Sequence, residues 1–208
     1  MMLIFIKVLI SLIIGYFLGS INTSIIVSKA YGIDIREHGS KNAGMTNILR
    51  TLGKFAAFLT IVGDVFKSII SCLIGLYVVG YVGGAGNLGL MAGGIGAVVG
   101  HIWPIYFGFR GGKGVLSSIS VVFMMNWKIG LVLMVIFLVL VLVTRYVSLG
   151  STSTSLLFPV VASFYGESAV FIIFASILAI LVIVMHRSNI RRLIKGEESK
   201  IGIKSRAK

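Results

Sequence analysis

The stretch Asp34-Ile35-Arg36-Glu37-His38-Gly39-Ser40-Lys41-Asn42-Ala43-Gly44-Met45-Thr46-Asn47-Ile48-Leu49-Arg50 decides how the rest of the chain is read. It is the longest polar segment before the C-terminal tail, set between two apolar runs, Met2 to about Tyr31 and Phe55 to Tyr81. Its two acids, three bases, histidine, hydroxyls and amides are costly to bury without partners. Runs on either side approach the roughly 20 apolar residues that cross a bilayer as helix. The segment therefore reads as a site at a membrane surface.

Composition agrees. Of 208 residues, 57% are apolar and only 12% charged, where a soluble domain carries about a quarter charged. The mean hydropathy is +1.05. The expected fold is an all-α integral membrane protein, a single membrane-embedded domain over 1–208 with a short basic tail at 187–208. A β-barrel needs alternating strands, and the chain has no such pattern. The net charge of +13 raises nucleic acid as a partner, but the bases sit at the ends of apolar runs. Topology and anionic lipid headgroups account for that placement, and no nucleic acid is expected. Cys72 stands alone in an apolar run and reads as a buried, inert thiol. The N-terminal run has no charged start and is too long for a signal peptide, so it is read as a span.

Seven spans are expected: Met2 to Tyr31, Phe55 to Tyr81, a glycine-rich Leu88 to Ile102, a short Val115 to Met125, Ile129 to Thr144, a weak Leu156 to Phe164 with its flanks, and Ala169 to Met185. A glycine-rich turn is expected at Gly83 to Asn87, a loop from Pro104 to Gly114, and a third loop from Arg145 to Ser151. With the N-terminus outside and the C-terminus cytoplasmic, about sixteen bases fall inside, and only Lys7 and Lys128 outside. That parity places all three polar loops and His186 on the cytoplasmic face, where one site could gather them.

Several segments carry chemistry. Phe107 to Gly114 resembles a phosphate cradle, because glycines let backbone N–H groups approach an anion while Lys113 neutralises it at a helix start. The nucleotide P-loop spacing is absent, and Gly114 sits where a magnesium-binding hydroxyl should be. A flexible connector with an inside lysine is the competing reading. Ser40, Asn42, Thr46 and Asn47 add donors, and Arg50 can grip phosphate at two points; a solvated loop with a helix cap at Ser40 or Thr46 is the plainer alternative. Asp34 and Arg36 read either as a surface ion pair or as support for Arg50 or Lys113. Asp64 and Lys67 share a helix face and are expected to pair. His101 reads as an interfacial histidine beside Trp103. His186 and Asn189 lie on one side of a helical continuation, His186 as acid, base or phosphate ligand. Arg191, Arg192 and Lys195 read as lipid-binding, and Ser148 and Ser151 as substrate donors or a bland loop. Three histidines, one cysteine and six scattered acids offer no ligand spacing for zinc and no stacked carboxylates for magnesium, so neither a metal nor a cofactor is expected.

Taken in order, Gly19-Ser20, Asp34-Ile35-Arg36 through Arg50, Gly100-His101, Pro104, Phe109 through Gly114, Arg145-Tyr146-Val147-Ser148 to Ser151, and His186, Asn189, Arg192-Leu193 and Gly196 resemble the bacterial acyl-phosphate:glycerol-3-phosphate acyltransferases of PlsY type. The resemblance spans nearly the whole chain. It implies a seven-helix enzyme of the bacterial plasma membrane with its site at the cytoplasmic face. The substrates it implies are a fatty acyl phosphate and glycerol-3-phosphate, and the products lysophosphatidic acid and phosphate. The family's phosphate and substrate contacts then fall on Ser40, Asn42, Thr46, Arg50, Gly112, Lys113, Ser148, Ser151, His186 and Asn189. Of these, Ser40, Arg50, Lys113 and His186 are expected to be catalytic. Membrane lipid and the upstream acyl-phosphate-forming enzyme are expected partners, and the protein is expected to be a monomer. The sequence departs from the family at Asn22, where many relatives have proline, Lys41, where glycine is usual, Met45, where alanine is usual, and Arg110, where lysine is common.

The expected mechanism is direct attack of the glycerol-3-phosphate hydroxyl on the acyl phosphate carbonyl, with no acyl-enzyme, the resemblance favouring a substrate phosphate as base. Two other classes remain open at this stage. A small-anion transporter would need charges lining a path across the membrane, and only Asp64 and Lys67 are available for one. A lipid-binding scaffold would not require Arg50 or Lys113 in particular.

Overall fold

The computed structural model describes residues 1–81 and 87–201. The glycine-rich turn expected at Gly83 to Asn87 therefore lies outside the described residues except for Asn87, as does the end of the basic tail. The described chain is helical: α1 (Met2–Gly19), α2 (Thr23–Ala30), α3 (Met45–Leu52), α4 (Lys54–Val79), α5 (Leu88–Ile102), α6 (Val115–Met125), α7 (Trp127–Thr144), α8 (Val147–Phe164), α9 (Ala169–Met185) and α10 (Arg187–Ile194). Each apolar run read as a span is helix. Five segments are long and apolar enough to cross a membrane: Met2–Ala30, Lys54–Val79, Leu88–Phe107, Trp127–Thr144 and Val147–Phe164. A sixth is the pair α9 and α10 taken together, bent by 61°. Helix α6 is shorter, at 11 residues.

The chain divides into two compact units, Met1–Met125 and Asn126–Lys208. In the first, α1, α4 and α5 meet backbone to backbone. A Cβ on Gly15 would strike the Gly93 carbonyl, one on Gly19 the backbone of Ala97, and one on Gly93 the Ser71 carbonyl. Apolar burial drives no association between helices in lipid, so close approach at small residues supplies the van der Waals contact instead. The first span is broken between α1 and α2, where Asn22 caps α2 by accepting the Ile25 N–H at 3.2 Å. This gives a physical role to the residue found where relatives carry proline.

In the second unit, Asn126 caps α7 and donates to Glu167 at 2.7 Å. Helices α8 and α9 pack through Phe158, Phe171 and Phe174, three mutually edge-on rings. Gly150 brings α8 against Phe137 and Val141 of α7. The third loop is shorter than expected: helix begins at Val147, so Ser148 and Ser151 are helical. Hydroxyls make this possible within an apolar setting, since Ser151, Thr152, Thr154 and Ser155 each donate to a carbonyl one turn back.

Candidate active site

In the first unit the polar segment is folded by its own side chains. Asp34 accepts the Arg36 N–H at 3.0 Å, starting a 3-10 turn over Ile35–Glu37. Its carboxylate pairs with the Arg36 guanidinium at 2.7 Å, and hydrogen bonds from Arg36 hold the Asp34 carboxyl down at about 2. The remaining edge of Arg36 donates to the Phe107 carbonyl at 2.6 Å. The pair is thus a clamp between the polar segment and the glycine loop.

Asn47 is the scaffold of the segment. Buried in α3, its Oδ1 accepts the Ser40 N–H at 2.9 Å, and its Nδ2 faces the carbonyls of His38 at 2.9 Å, Asn42 at 3.1 Å and Ile35 at 3.2 Å. Ser40 and Asn42 are therefore presented by one buried amide, Ser40 exposed and Asn42 half-buried. Neither Ser40 nor Thr46 caps α3. Its N-cap is Gly44, without a side-chain bond. Thr46 and Arg50 lie four apart and so share a face of α3, with Arg50 exposed. Lys41 holds φ at +57°, a left-handed conformation in which glycine is easier.

The glycine loop is less open than its sequence implies. Gly111 N–H donates to the Ile102 carbonyl and Gly112 N–H to the His101 carbonyl, each at 3.1 Å. At Gly112 the useful property is the missing Cβ, which would strike Nε2 of His101 and lie 2.6 Å from the Ala43 carbonyl. Gly114, with φ +80°, then turns the chain into α6, leaving Lys113 half-buried beside the helix start.

His101 is buried within the protein rather than exposed beside Trp103. It is 3% exposed, enclosed because α5 is drawn against α1 and α4 and because Lys67 supplies a polar partner, Nζ to Nδ1 at 3.1 Å. Asp64 and Lys67 pair as expected, at 2.8 Å.

In the second unit, Ser148 and Ser151 are buried near the start of α8. His186 sits at the bend between α9 and α10, its Nδ1 2.8 Å from the Val182 carbonyl. A carbonyl only accepts, so Nδ1 donates a proton to it. Asn189 donates to Glu198 at 2.6 Å, and Arg192 pairs with the other oxygen of the same carboxylate at 2.7 Å. Burial works against this carboxylate, but the bonds from Asn189 and Arg192 outweigh it and lower its pKa. Arg192 is therefore committed to Glu198, while Arg191 is exposed. Sequence reasoning missed Glu198. The signal was Gly196, which ends α10 with φ +71° while Glu197 N–H donates back to the Arg192 carbonyl at 2.8 Å. That reversal of the chain returns Glu198 to the helix.

Residues 9–196 match the family described as glycerol-3-phosphate acyltransferase. A glycerol-3-phosphate acyltransferase of Thermoanaerobacter sp. (strain X514) is 44% identical over 197 residues, covering 94% of this chain and 96% of the relative. One from Clostridioides difficile (strain 630) is 43% identical, covering 92% and 94%. Two crystal structures of PlsY, an integral membrane glycerol 3-phosphate acyltransferase, are similar at 34% identity. The glycerol 3-phosphate form has a TM-score of 0.86 over 94% of this chain and 96% of that one. The lysophosphatidic acid form has a TM-score of 0.84 over 94% and 95%. A match over nearly the whole length, running through both units, places the chain in the PlsY family of integral membrane glycerol-3-phosphate acyltransferases.

Proposed function

We propose that this chain transfers a fatty acyl group from an acyl phosphate to glycerol-3-phosphate, releasing lysophosphatidic acid and inorganic phosphate. The observation that carries this reading is the clamp from Arg36 to the Phe107 carbonyl. It joins the segment presenting Ser40, Asn42, Thr46 and Arg50 to the loop presenting Lys113. In the reaction, a hydroxyl oxygen of glycerol-3-phosphate attacks the acyl carbonyl carbon. The bond from that carbon to the bridging phosphate oxygen breaks, and the hydroxyl proton passes to a substrate phosphate oxygen. No acyl-enzyme forms and no metal takes part. Arg50 and Lys113 offset the repulsion between two anionic substrates and stabilise phosphate as it leaves. Ser40, Asn42 and Thr46 orient it. Ser148, Ser151, His186 and Asn189 hold the acceptor, and Gly112 admits the close approach of the loop. Fixing both reactants in line supplies part of the roughly 7–11 kcal/mol available from positioning.

The proposal extends to topology: seven crossings of the bacterial plasma membrane, N-terminus outside, C-terminus and site on the cytoplasmic side, the 208 residues working as one monomeric catalytic domain. Support comes from the basic residues, which cluster in alternate polar segments. Contact with the enzyme that forms the acyl phosphate follows from a donor that partitions into the membrane. The test is donor choice. Purified protein in detergent, given glycerol-3-phosphate, should form lysophosphatidic acid from palmitoyl phosphate and none from palmitoyl-CoA; the reverse preference would overturn the acyl-phosphate reading.

A further inference from the structure

Asp64, Lys67 and His101 are buried inside the first unit, and the reaction above uses none of them. Asp64 and Lys67, both buried in α4, pair at 2.8 Å. Lys67 Nζ also donates to the Gly19 carbonyl at 2.9 Å and the Ile21 carbonyl at 3.0 Å, groups stranded where α1 stops before α2 begins. Its fourth neighbour is Nδ1 of His101 at 3.1 Å. Asp64 lies 3.6 Å from the same nitrogen, beyond hydrogen-bond length. Charges within a span are costly to keep and mark functional positions.

An ammonium has only donors, so the ring nitrogen facing it presents its lone pair, and the ring proton resides on Nε2. The Nε2 edge faces Gly112 so closely that a Cβ on that residue would overlap it, and the same Cβ would lie 2.6 Å from the Ala43 carbonyl. The His101 carbonyl meanwhile accepts the Gly112 N–H at 3.1 Å, and Asn22 donates to that carbonyl at 3.4 Å. His101 thus meets Gly112 from both its backbone and its ring, one residue before Lys113.

The geometry points to Asp64, Lys67 and His101 as a positioning relay for Lys113. Lys67, neutralised by Asp64, fixes the Nε2–H tautomer of His101, and His101 sets the backbone of Gly111 and Gly112. Lys113 consequently meets phosphate with its ammonium already in place. The three act through Lys113 and touch no substrate. This relay rests on the proposed phosphate-binding role of Lys113.

Two measurements test it. In full-length protein labelled with ¹⁵N-histidine, the His101 signals, assigned by their loss in His101→Gln, should show a neutral ring protonated at Nε2. A proton on Nδ1, or an imidazolium, would overturn the relay. In steady-state kinetics, His101→Gln, whose amide nitrogen overlays Nε2, should keep both KM values within about threefold of wild type. His101→Asn, which leaves that point empty, should raise KM for one phosphate substrate about tenfold or more, as for a lost contact to a charged group. Equal KM values in the two variants, or a lower kcat at unchanged KM, would mean packing alone and sink the relay. A wild-type protein without turnover would overturn the acyltransferase reading instead, and the tautomer measurement would still decide the arrangement of Lys67 and His101.

Discussion

Arg36 donates from Nη1 to the carbonyl oxygen of Phe107 at 2.6 Å, across 71 residues of sequence, while its other edge holds Asp34. One guanidinium thus fixes the polar segment against the glycine loop, which a lysine, with a single nitrogen, has no geometry to do. Arg36→Lys should lower turnover, and Arg36→Ala should in addition cost about 1.5–3 kcal/mol of stability, the range for hydrogen bonds to charged groups. Activity beside thermal unfolding in detergent checks both.

The same pair sets an acid limit. The Asp34 carboxyl is lowered from its ordinary 3.8 to about 2. A depressed carboxyl contributes stability that is fully present above the ordinary value and is lost as pH falls through the folded one. The pair's contribution should therefore be constant from neutral pH down to about 4 and decline between there and about 2. Comparing acid unfolding of wild type with Asp34→Asn reads this directly: the variant should be less stable at neutral pH, with the gap closing below that window.

Lys41 carries a left-handed backbone, φ +57°. Such a conformation costs a side-chain-bearing residue about 1–2 kcal/mol, partly offset in glycine by the greater entropy of its unfolded chain. Lys41→Gly should raise stability by up to about 1 kcal/mol with turnover retained. A loss of activity would show that the lysine charge takes part in binding.

Glu198 holds Asn189 and Arg192 on its two oxygens. Glu198→Ala should free both and raise KM for glycerol-3-phosphate by about tenfold or more, while Glu197→Ala, at an exposed neighbour, should have little effect.

Substrate assistance makes its own demand on His186. If a substrate phosphate takes the proton, His186→Ala at saturating acceptor should stay within about tenfold of wild type in kcat, with the cost appearing in KM. A fall of about 10²–10⁴ in kcat would assign the base to His186.

What the sequence made legible was the part governed by composition and periodicity. Apolar runs became helices α1, α4, α5, α7 and α9 nearly where expected, and the glycines of the first and third spans became backbone contacts. The Asp64–Lys67 pair followed from spacing on one helix. Hidden were relationships between distant segments. Arg36 reaching Phe107, His101 turning inward to Lys67, and Glu198 returning to Asn189 each depend on tertiary packing that no local pattern encodes. The expected loop from Arg145 to Ser151 is helix from Val147 onward, and the Ser151 hydroxyl bonds back to the Val147 carbonyl of that helix. The glycine pattern suggests an open amide donor at Gly112, but its N–H is taken by the His101 carbonyl.

The most direct measurement is release of inorganic phosphate by purified protein in detergent, given palmitoyl phosphate and glycerol-3-phosphate without added metal, beside Lys113→Ala. Release that requires both substrates, in equal amount with lysophosphatidic acid, and that is lost in folded Lys113→Ala, is the predicted result. No release from folded wild type, or full release from the variant, would contradict acyl transfer at the Lys113 loop.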